Sequence, residues 1–124
     1  MLVREIVDLL EAKPLLMCND TLLDSDYEYA FATDLMSDAL AMIQTSPEKF
    51  VLITGLANAS TIRTAEMLDL HVIIIVRGKT LDEETLNIAK ESELNIFATD
   101  HSMYCTSGIL YANGLKGIND QYSS

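Results

Sequence analysis

The sequence predicts a single small α/β domain of three layers, in which helices cover both faces of a mostly parallel sheet of about five strands. Within residues 50–113, predicted strands and helices alternate three times. The strands at residues 50–54 and 71–76 are continuously apolar, which is typical of parallel strands that helices bury on both faces. Successive strands begin about twenty residues apart, which leaves room for one crossover helix between parallel neighbours.

The N-terminal part of the chain is predicted to add two helices and two strands. Apolar residues recur at helical spacing over residues 2–12, and Pro14 stops that pattern. Residues 15–18 form a short apolar run, which predicts a strand. Residues 27–33 alternate aromatic with small or polar side chains, which predicts a second strand. Asp34 is expected to cap the helix that follows.

The ends of the helices are predicted from capping and breaking residues. The helix after Asp34 is expected to end at residues 45–47, which are Thr-Ser-Pro. Asn58 or Ser60 is expected to cap the next helix, and Asp100 or Ser102 the last one.

The helix between the last two strands shows a pattern of its own. Thr80 is followed three residues later by Glu83, which matches a capping box. A strand at residues 95–99 and a helix at residues 103–113 complete the domain. All of these elements belong to one domain over residues 1–117, because two separate cores would each be too small in a chain of 124 residues. Residues 118–124 are expected to be a C-terminal tail.

A cytoplasmic location is expected from the N-terminus and the cysteines. Glu5 and Asp8 interrupt the region that a signal peptide would keep apolar. No apolar run is longer than the one at residues 72–76, which is far shorter than the roughly 20 residues of a membrane helix. Cys18 and Cys105 show no disulfide framework, so reduced thiols are expected.

The charge of the chain argues against two classes of partner. The net charge is −11, from 19 acidic and 8 basic residues. Phosphate-rich surfaces attract clustered Lys and Arg, whereas this chain would be repelled by them. We therefore expect neither nucleic acid nor a membrane as a partner.

Polar residues follow three of the predicted parallel strands. The carboxyl ends of parallel strands meet at one edge of the sheet, where ligands of open α/β domains bind. Each of these strand ends leads into a helix N-terminus, which favours an anion. Such loops also serve merely to turn the chain, and that alternative stays open. The residues of the candidate anion pocket are Thr54, Gly55, Asn58, Arg77, Gly78, Lys79, Thr99, Asp100, His101 and Ser102.

The tripeptide at Gly78, Lys79 and Thr80 is similar to the end of a phosphate-binding P-loop. A P-loop also needs a glycine five residues before the second one, so that the loop can wrap around phosphates. That position is Ile73, in the middle of an apolar strand. The tripeptide is therefore interpreted as a strand end followed by a helix cap.

Neither a metal site nor a catalytic group is predicted. His101 and Cys105 are four residues apart and can share a helix face, but two ligands are too few for a closed zinc site. A Cys105 nucleophile activated by His101 is geometrically possible, although a cysteine in such an apolar helix is more often buried. Asp34 and Asp38 lie one helical turn apart and could hold a cation together, but capping and solvation explain them.

Four segments in order resemble the DRTGG domain family, most closely its small stand-alone members. These segments are residues 32–40, 51–55, 65–79 and 98–100. The resemblance spans nearly the whole chain, up to about residue 117. It implies a fold similar to the N-terminal domain of HPr kinase/phosphorylase. It also implies a regulatory or accessory role, since such domains accompany phosphate acetyltransferase, cobyrinic-acid-synthase-like and CBS-domain pyrophosphatase modules.

The chain departs from the residues that give this family its name. Many members carry Asp-Arg after the glycine at the strand end, but here Gly55 is followed by Leu-Ala-Asn. Many members have paired glycines where only Gly78 stands here. The glycines at the strand ends and Thr99 with Asp100 are retained. A family segment that contains Asp34, Ser37 and Asp38 is also retained, and its role is unknown.

The resulting functional hypothesis is a non-catalytic regulatory domain with no resident cofactor, which senses a nucleotide or another small anion and acts as a homodimer. The resemblance implies the homodimer, and Tyr27, Tyr29 and Phe31 favour it because they are expected on one face of an alternating strand. One alternative is a small enzyme or phosphotransfer accessory that uses Cys105 and His101. Another is a purely structural protein partner in a redox or acetyl-metabolism complex.

Overall fold

The computed structural model describes residues 1–44 and 48–118, and it confirms the α/β fold. Each described element coincides with one that its apolar pattern predicts, apart from a short 3-10 helix at Asp20–Asp24. The elements in chain order are α1 (Val3–Leu10), β1 (Lys13–Met17), β2 (Tyr29–Ala32), α2 (Met36–Ile43), β3 (Phe50–Thr54), α3 (Ala59–Met67), β4 (Val72–Ile75), α4 (Glu83–Glu91), β5 (Asn95–Ala98) and α5 (Met103–Ala112).

The sheet has five strands in the order β1-β5-β4-β3-β2. From β2 to β5 each strand pairs in parallel with the next one in the chain. These three steps run in the same direction across the sheet, and parallel crossovers are almost always right-handed. For this reason α2, α3 and α4 pack together on one face of the sheet, while α1 and α5 cover the other face.

The core lies against both faces of β3 and β4. Every residue of these two strands is buried, as their continuous apolar runs predict. Ile53 of β3 pairs with Ile74 of β4, which pairs with Phe97 of β5. All three side chains point into the layer below α1 and α5, and their neighbours along each strand point the other way because side chains alternate across a strand.

The direction of β1 is not visible in the sequence. This strand pairs with β5 in the antiparallel sense, and the pairing shifts between Pro14 and Leu16. Proline lacks the N–H that a central strand needs, so it is tolerated at an edge or at a bulge. The sheet is therefore mostly parallel, with one antiparallel edge.

Two of the predicted caps are wrong. Asp82, and not the pair of Thr80 and Glu83, caps α4, and its carboxylate accepts a hydrogen bond from the N–H of Thr85. The reason is that Leu81 is buried, which keeps the chain outside the helix for two residues after Thr80.

The predicted cap of α2 is the second error. This helix has Leu35 at its N-cap position, without a side-chain hydrogen bond. The Asp34 carboxylate instead accepts a hydrogen bond from the N–H of Gly55. Of the alternatives left open elsewhere, Asn58 caps α3 and Ser102 caps α5.

The aromatic residues near β2 do not share one face, contrary to expectation. Tyr29 and Phe31 pack towards α2, α3 and α4, whereas Tyr27 is buried on the face of α1 and α5. Tyr27 precedes β2, and its N–H donates to the carbonyl of Met1, so the alternation does not extend back to it. The three aromatic side chains that favoured a homodimer in the sequence are therefore divided between the two faces of the sheet.

The described chain ends against the edge of β2. The N–H of Lys116 donates to the carbonyl of Glu28, and the N–H of Ala30 donates to the carbonyl of Lys116. Ile118, the first residue of the expected tail, is buried in the core. The rest of that tail and the predicted end of α2 at residues 45–47 lie outside the described residues. No helix in the described ranges has both the length and the apolar character that crossing a membrane requires.

Candidate functional site

The strand-end cluster lies where β2, β3, β4 and β5 finish at the same edge of the sheet. Because these strands are parallel neighbours, residues far apart in the chain are adjacent there. The name is used here for the residues that touch one another at this edge: Asp34, Thr54, Gly55, Arg77, Gly78, Lys79, Thr99, Asp100 and His101.

The loop after β3 forms the centre of the cluster. One oxygen of the Asp34 carboxylate accepts hydrogen bonds from the N–H of Gly55 at 2.6 Å and from the hydroxyl of Thr54 at 3.2 Å. Thr54 is fully buried, and its Oγ1 accepts a hydrogen bond from the N–H of Leu56. A carboxylate from the end of β2 therefore occupies a backbone donor that an external anion would otherwise use.

Two cations from the end of β4 converge on the same loop. The Nζ of Lys79 donates to the carbonyl of Gly55 at 2.8 Å. The guanidinium of Arg77 lies over Gly55, since a Cβ added to that glycine would be 2.7 Å from Nη2 of Arg77. Both cationic side chains belong to exposed residues. Gly55 thus leaves the space that Arg77 fills.

The turn after β4 holds both cations in place. Arg77 and Gly78 each have a φ of 65°, in the left-handed region. That region is unfavourable for arginine, and hydrogen bonds offset the cost. The N–H of Arg77 donates to the carbonyl of His101 at 2.8 Å, and the N–H of Gly78 donates to the carbonyl of Thr99 at 2.8 Å. The turn is therefore tied to the end of β5.

The loop after β5 completes the cluster. A Cβ on Gly78 would be 2.9 Å from a carboxylate oxygen of Asp100, so the acid lies close against the turn. Thr99 is buried, and its hydroxyl donates to the carbonyl of Leu10 at the end of α1. His101 is half-buried, and its N–H donates to Oγ1 of Thr99.

The helix N-termini at this edge are closed by their own caps. The Asn58 side chain accepts hydrogen bonds from the N–H groups of Ser60 and Thr61, and the Ser102 hydroxyl accepts one from Cys105. At α4 the hydroxyl and then the backbone N–H of Thr85 lower the pKa of the Asp82 carboxyl. Side chains already cap the helix N-termini at this edge. The positive charge of the cluster therefore comes from Arg77 and Lys79.

The family segment that contains Asp34 is divided by the structure. Asp34 turns towards Gly55, whereas Ser37 and Asp38 lie exposed in the first turn of α2. Asp34 and Asp38 therefore do not form a cation site. Among residues 1–44 and 48–118, no group of three His, Cys, Asp or Glu side chains is arranged to hold a metal ion.

Cys105 differs from the expectation that it is buried. It is an exposed free thiol in the first turn of α5, because that position faces away from the sheet. His101 precedes the same helix.

The contact between Asp34 and Gly55 is the part of the cluster that the sequence does not reveal. The two residues are separated by 21 positions, and a local pattern assigns an aspartate before a helix to capping. The parallel pairing of β2 with β3 brings the two strand ends together. This contact could be foreseen only if the strand order were known.

Comparison with known proteins supports the fold. No family model matches the chain, and no curated protein matches it. Among solved structures, it is similar to the CBS and DRTGG domains of the regulatory region of Clostridium perfringens pyrophosphatase, in complex with the activator diadenosine tetraphosphate. The TM-score is 0.65 at 18% sequence identity.

This similarity covers 85% of the present chain and 44% of the pyrophosphatase regulatory chain. The chain therefore spans less than half of the protein that it matches. At this level of identity the comparison shows the fold, which is DRTGG-like as the resemblance of the sequence implies.

Proposed function

We propose that this chain is a cytoplasmic, non-catalytic regulatory or accessory module that acts as a homodimer and binds a small anion at the strand-end cluster. The ligand class is a nucleotide or another phosphorylated metabolite. No resident cofactor and no metal belong to this proposal.

The observation that carries the proposal is the convergence of Arg77 and Lys79 on the loop at Gly55. The chain has only 8 basic residues against 19 acidic ones, so two cations on one short loop form a local exception. Arginine presents five donors and lysine three, and the bond from Lys79 to Gly55 uses one of them. Phosphate oxygens match the remaining donors in charge and geometry.

The carboxylates in the cluster narrow the ligand class. Asp34 and Asp100 lie beside the two cations and would repel a compact anion that filled the whole cluster. A nucleotide avoids this conflict, because its phosphates can face Arg77 and Lys79 while its hydroxyl and amino groups donate to the carboxylates. The fold of a pyrophosphatase regulatory region that was solved with diadenosine tetraphosphate adds support to this choice.

An enzyme is the second candidate, and the exposure of Cys105 is the observation that favours it. In this alternative the thiolate acts as a nucleophile with His101 as its base. Turnover of a nucleotide that is lost in both Cys105→Ser and His101→Ala would support the enzyme. If the wild-type protein does not convert the nucleotide, the enzyme hypothesis is contradicted and the regulatory module is kept.

Isothermal titration calorimetry with ATP, diadenosine tetraphosphate and inorganic pyrophosphate tests the proposal. We expect saturable binding of at least one of the three, and loss of that binding in Arg77→Ala and in Lys79→Ala. The matched control is Lys90→Ala, which removes one positive charge from the last turn of α4. That turn lies at the opposite edge of the sheet, since α4 runs back from β4 to the start of β5.

Two results would contradict the proposal. One is the absence of heat with all three compounds, which would leave only a role in protein–protein interaction. The other is an equal loss of affinity in Lys90→Ala and Arg77→Ala, because a general effect of charge and not a site would then explain the binding.

A further inference from the structure

Helix α5 differs from the other helices in having no charged residue. Its sequence, MYCTSGILYA, carries none of the 27 charged residues of the chain, whereas α1, α2, α3 and α4 each carry at least one. Tyr104 and Tyr111 are 88% and 64% exposed. Because they lie seven residues apart, they project from the same face of the helix.

Gly108 lies between the two tyrosines on this face. It is exposed, and a Cβ built on it would meet no atom of residues 1–44 and 48–118 within 4 Å. Glycine inside a helix is less favourable than alanine because its backbone loses more freedom. The isolated fold gives no steric reason for this glycine. A partner that packs closely against the outer face of α5 would require a small residue at this position.

A groove of about 580 Å³ runs beside this face, between α5 and the edge of β2. Its walls include Phe31, Ala32, Tyr104, Gly108 and Tyr111. Lys116 is the only charged residue among the described residues that line it. The face and the groove together, named here the α5–β2 surface, form an area on an acidic molecule whose described residues include no acidic side chain and one lysine.

The charge of the chain selects the occupant of this surface. Two copies of a protein with a net charge of −11 repel each other wherever their acidic faces meet. Contact between two surfaces that lack acidic side chains avoids that repulsion at short range. A basic partner would gain electrostatic energy by binding the acidic faces of the molecule, and it would gain none at the α5–β2 surface. A second copy of this chain therefore fits the α5–β2 surface better than a partner of opposite charge.

A dimer interface needs more area than the outer face of α5 alone provides. A stable interface buries about 800 Å² per partner, and the whole molecule exposes 6709 Å². The ten residues of α5 form a ridge about 15 Å long, which is too small by itself. The groove beside it adds to this ridge, and exposed tyrosines are residues enriched in the centres of interfaces.

We propose that two copies of this chain associate through the α5–β2 surface, with Gly108 at the close approach between helices and the tyrosines as anchors. In such a symmetric dimer each copy presents the same surface. The inference rests on the homodimer of the proposed function and specifies its interface. The strand-end cluster is not part of this surface.

Sedimentation equilibrium of wild type, Gly108→Glu and Asn87→Glu at micromolar concentration tests the proposal. We expect wild type to have twice the 13.7 kDa mass of the chain. Gly108→Glu should raise the dimer dissociation constant about tenfold or more, since it places a charge and a long side chain at the contact. Asn87→Glu adds the same charge on exposed α4 and should leave the dimer intact.

Gly108→Glu also separates a lost interface from a damaged fold. Glutamate is a better helix former than glycine, and none of the described part of the chain obstructs its Cβ. The melting temperature measured at a dilution where both proteins are monomers should therefore be equal to or above that of wild type.

Three results would overturn the proposal. Wild type that stays monomeric would also contradict the homodimer of the proposed function. A Gly108→Glu protein that remains as dimeric as wild type would contradict only the surface. Equal weakening by Asn87→Glu would show that added charge, irrespective of position, dissociates the dimer. Calorimetric binding of ATP in the same three proteins reports on the anion site separately.

Discussion

At the scale of single residues, the left-handed conformation of Arg77 organises the strand-end cluster. A bulky residue rarely adopts a φ of 65°, and the hydrogen bond from its N–H to the carbonyl of His101 maintains it. The consequence is that the guanidinium extends across to the next strand and covers Gly55. Hydrogen bonds within the protein hold this arrangement, which reduces the ordering that binding of an anion would require.

Gly55→Ala is expected to weaken anion binding with little effect on stability. Gly55 does not have a positive φ, so alanine is compatible with its backbone. The new Cβ would be 2.7 Å from the end of the Arg77 side chain, which is flexible and can move away. We expect affinity for ATP, measured by calorimetry, to fall about tenfold while the melting temperature changes by a few degrees at most. A large loss of stability with unchanged affinity would contradict this view of Gly55.

Asp34→Asn is expected to have the opposite effect on affinity. The Asp34 carboxylate occupies the N–H of Gly55 and adds a negative charge beside the two cations. An amide keeps an oxygen for the N–H of Gly55 but removes the charge. We expect tighter binding of pyrophosphate, by about threefold to tenfold, in a parallel titration. Weaker binding would show that Asp34 contacts the ligand directly.

The residues of the cluster were predicted unequally well from the sequence. Thr54, Gly55, Arg77 and Lys79 follow directly after apolar strands, so their position at one edge follows from the periodicity. The role of Asp34 depends on which strand pairs with which, and no local pattern contains that information.

At the scale of elements, the strands were easier to predict than the caps. β3 and β4 are buried at every position and apolar at all but Thr54, which is typical of strands that are covered on both faces. The start of α4 was predicted at Thr80, but Asp82 is the N-cap. The capping pattern of Thr80 and Glu83 does not show that Leu81 is buried ahead of the helix. The antiparallel direction of β1 depends on a connection across the whole sheet, and its own residues carry no sign of it.

The cap of α4 should make stability depend on pH in the acid range. Hydrogen bonds from Thr85 lower the pKa of the Asp82 carboxyl in the folded state, so the charged form stabilises the fold. This contribution is complete above the unfolded pKa of about 3.9 and is lost as the pH falls through the lower folded value. Asp82→Asn should therefore melt below wild type at neutral pH.

The difference between the two melting curves gives the test. It should shrink as the pH falls below the unfolded pKa of about 3.9 and vanish below the lower pKa of the folded state, because the wild-type carboxyl then loses its charge as well. A difference that stays constant from neutral to acid pH would contradict the assignment of Asp82 as a charged cap.

At the scale of the whole molecule, the topology explains both proposed surfaces. Three parallel steps in one direction place α2, α3 and α4 on one face and bring four strand ends to one edge. The opposite face is covered by α1 and α5, and the two-helix layer leaves a groove beside the edge strand β2. The proposed anion site and the proposed self-association surface thus lie in different parts of one fold.

The stability of the molecule depends on the centre of the sheet. Ile74 is fully buried between β3 and β5, and Ile74→Ala should lower the free energy of unfolding by about 2–5 kcal/mol. Met67, at the end of α3, is 71% exposed, and Met67→Ala should change it by no more than about 0.5 kcal/mol. Denaturant unfolding of both variants is the measurement, and similar values for the two would contradict the assignment of the core.

The most direct test of anion binding at the strand-end cluster is a titration of the ¹⁵N-labelled protein with ATP, followed by two-dimensional NMR. We expect the largest shifts at the amides of Gly55, Arg77, Gly78 and Lys79, with the signals of Lys90 and the rest of the last turn of α4 unmoved. Shifts confined to the groove beside α5, or no shifts at saturating ATP, would contradict the site.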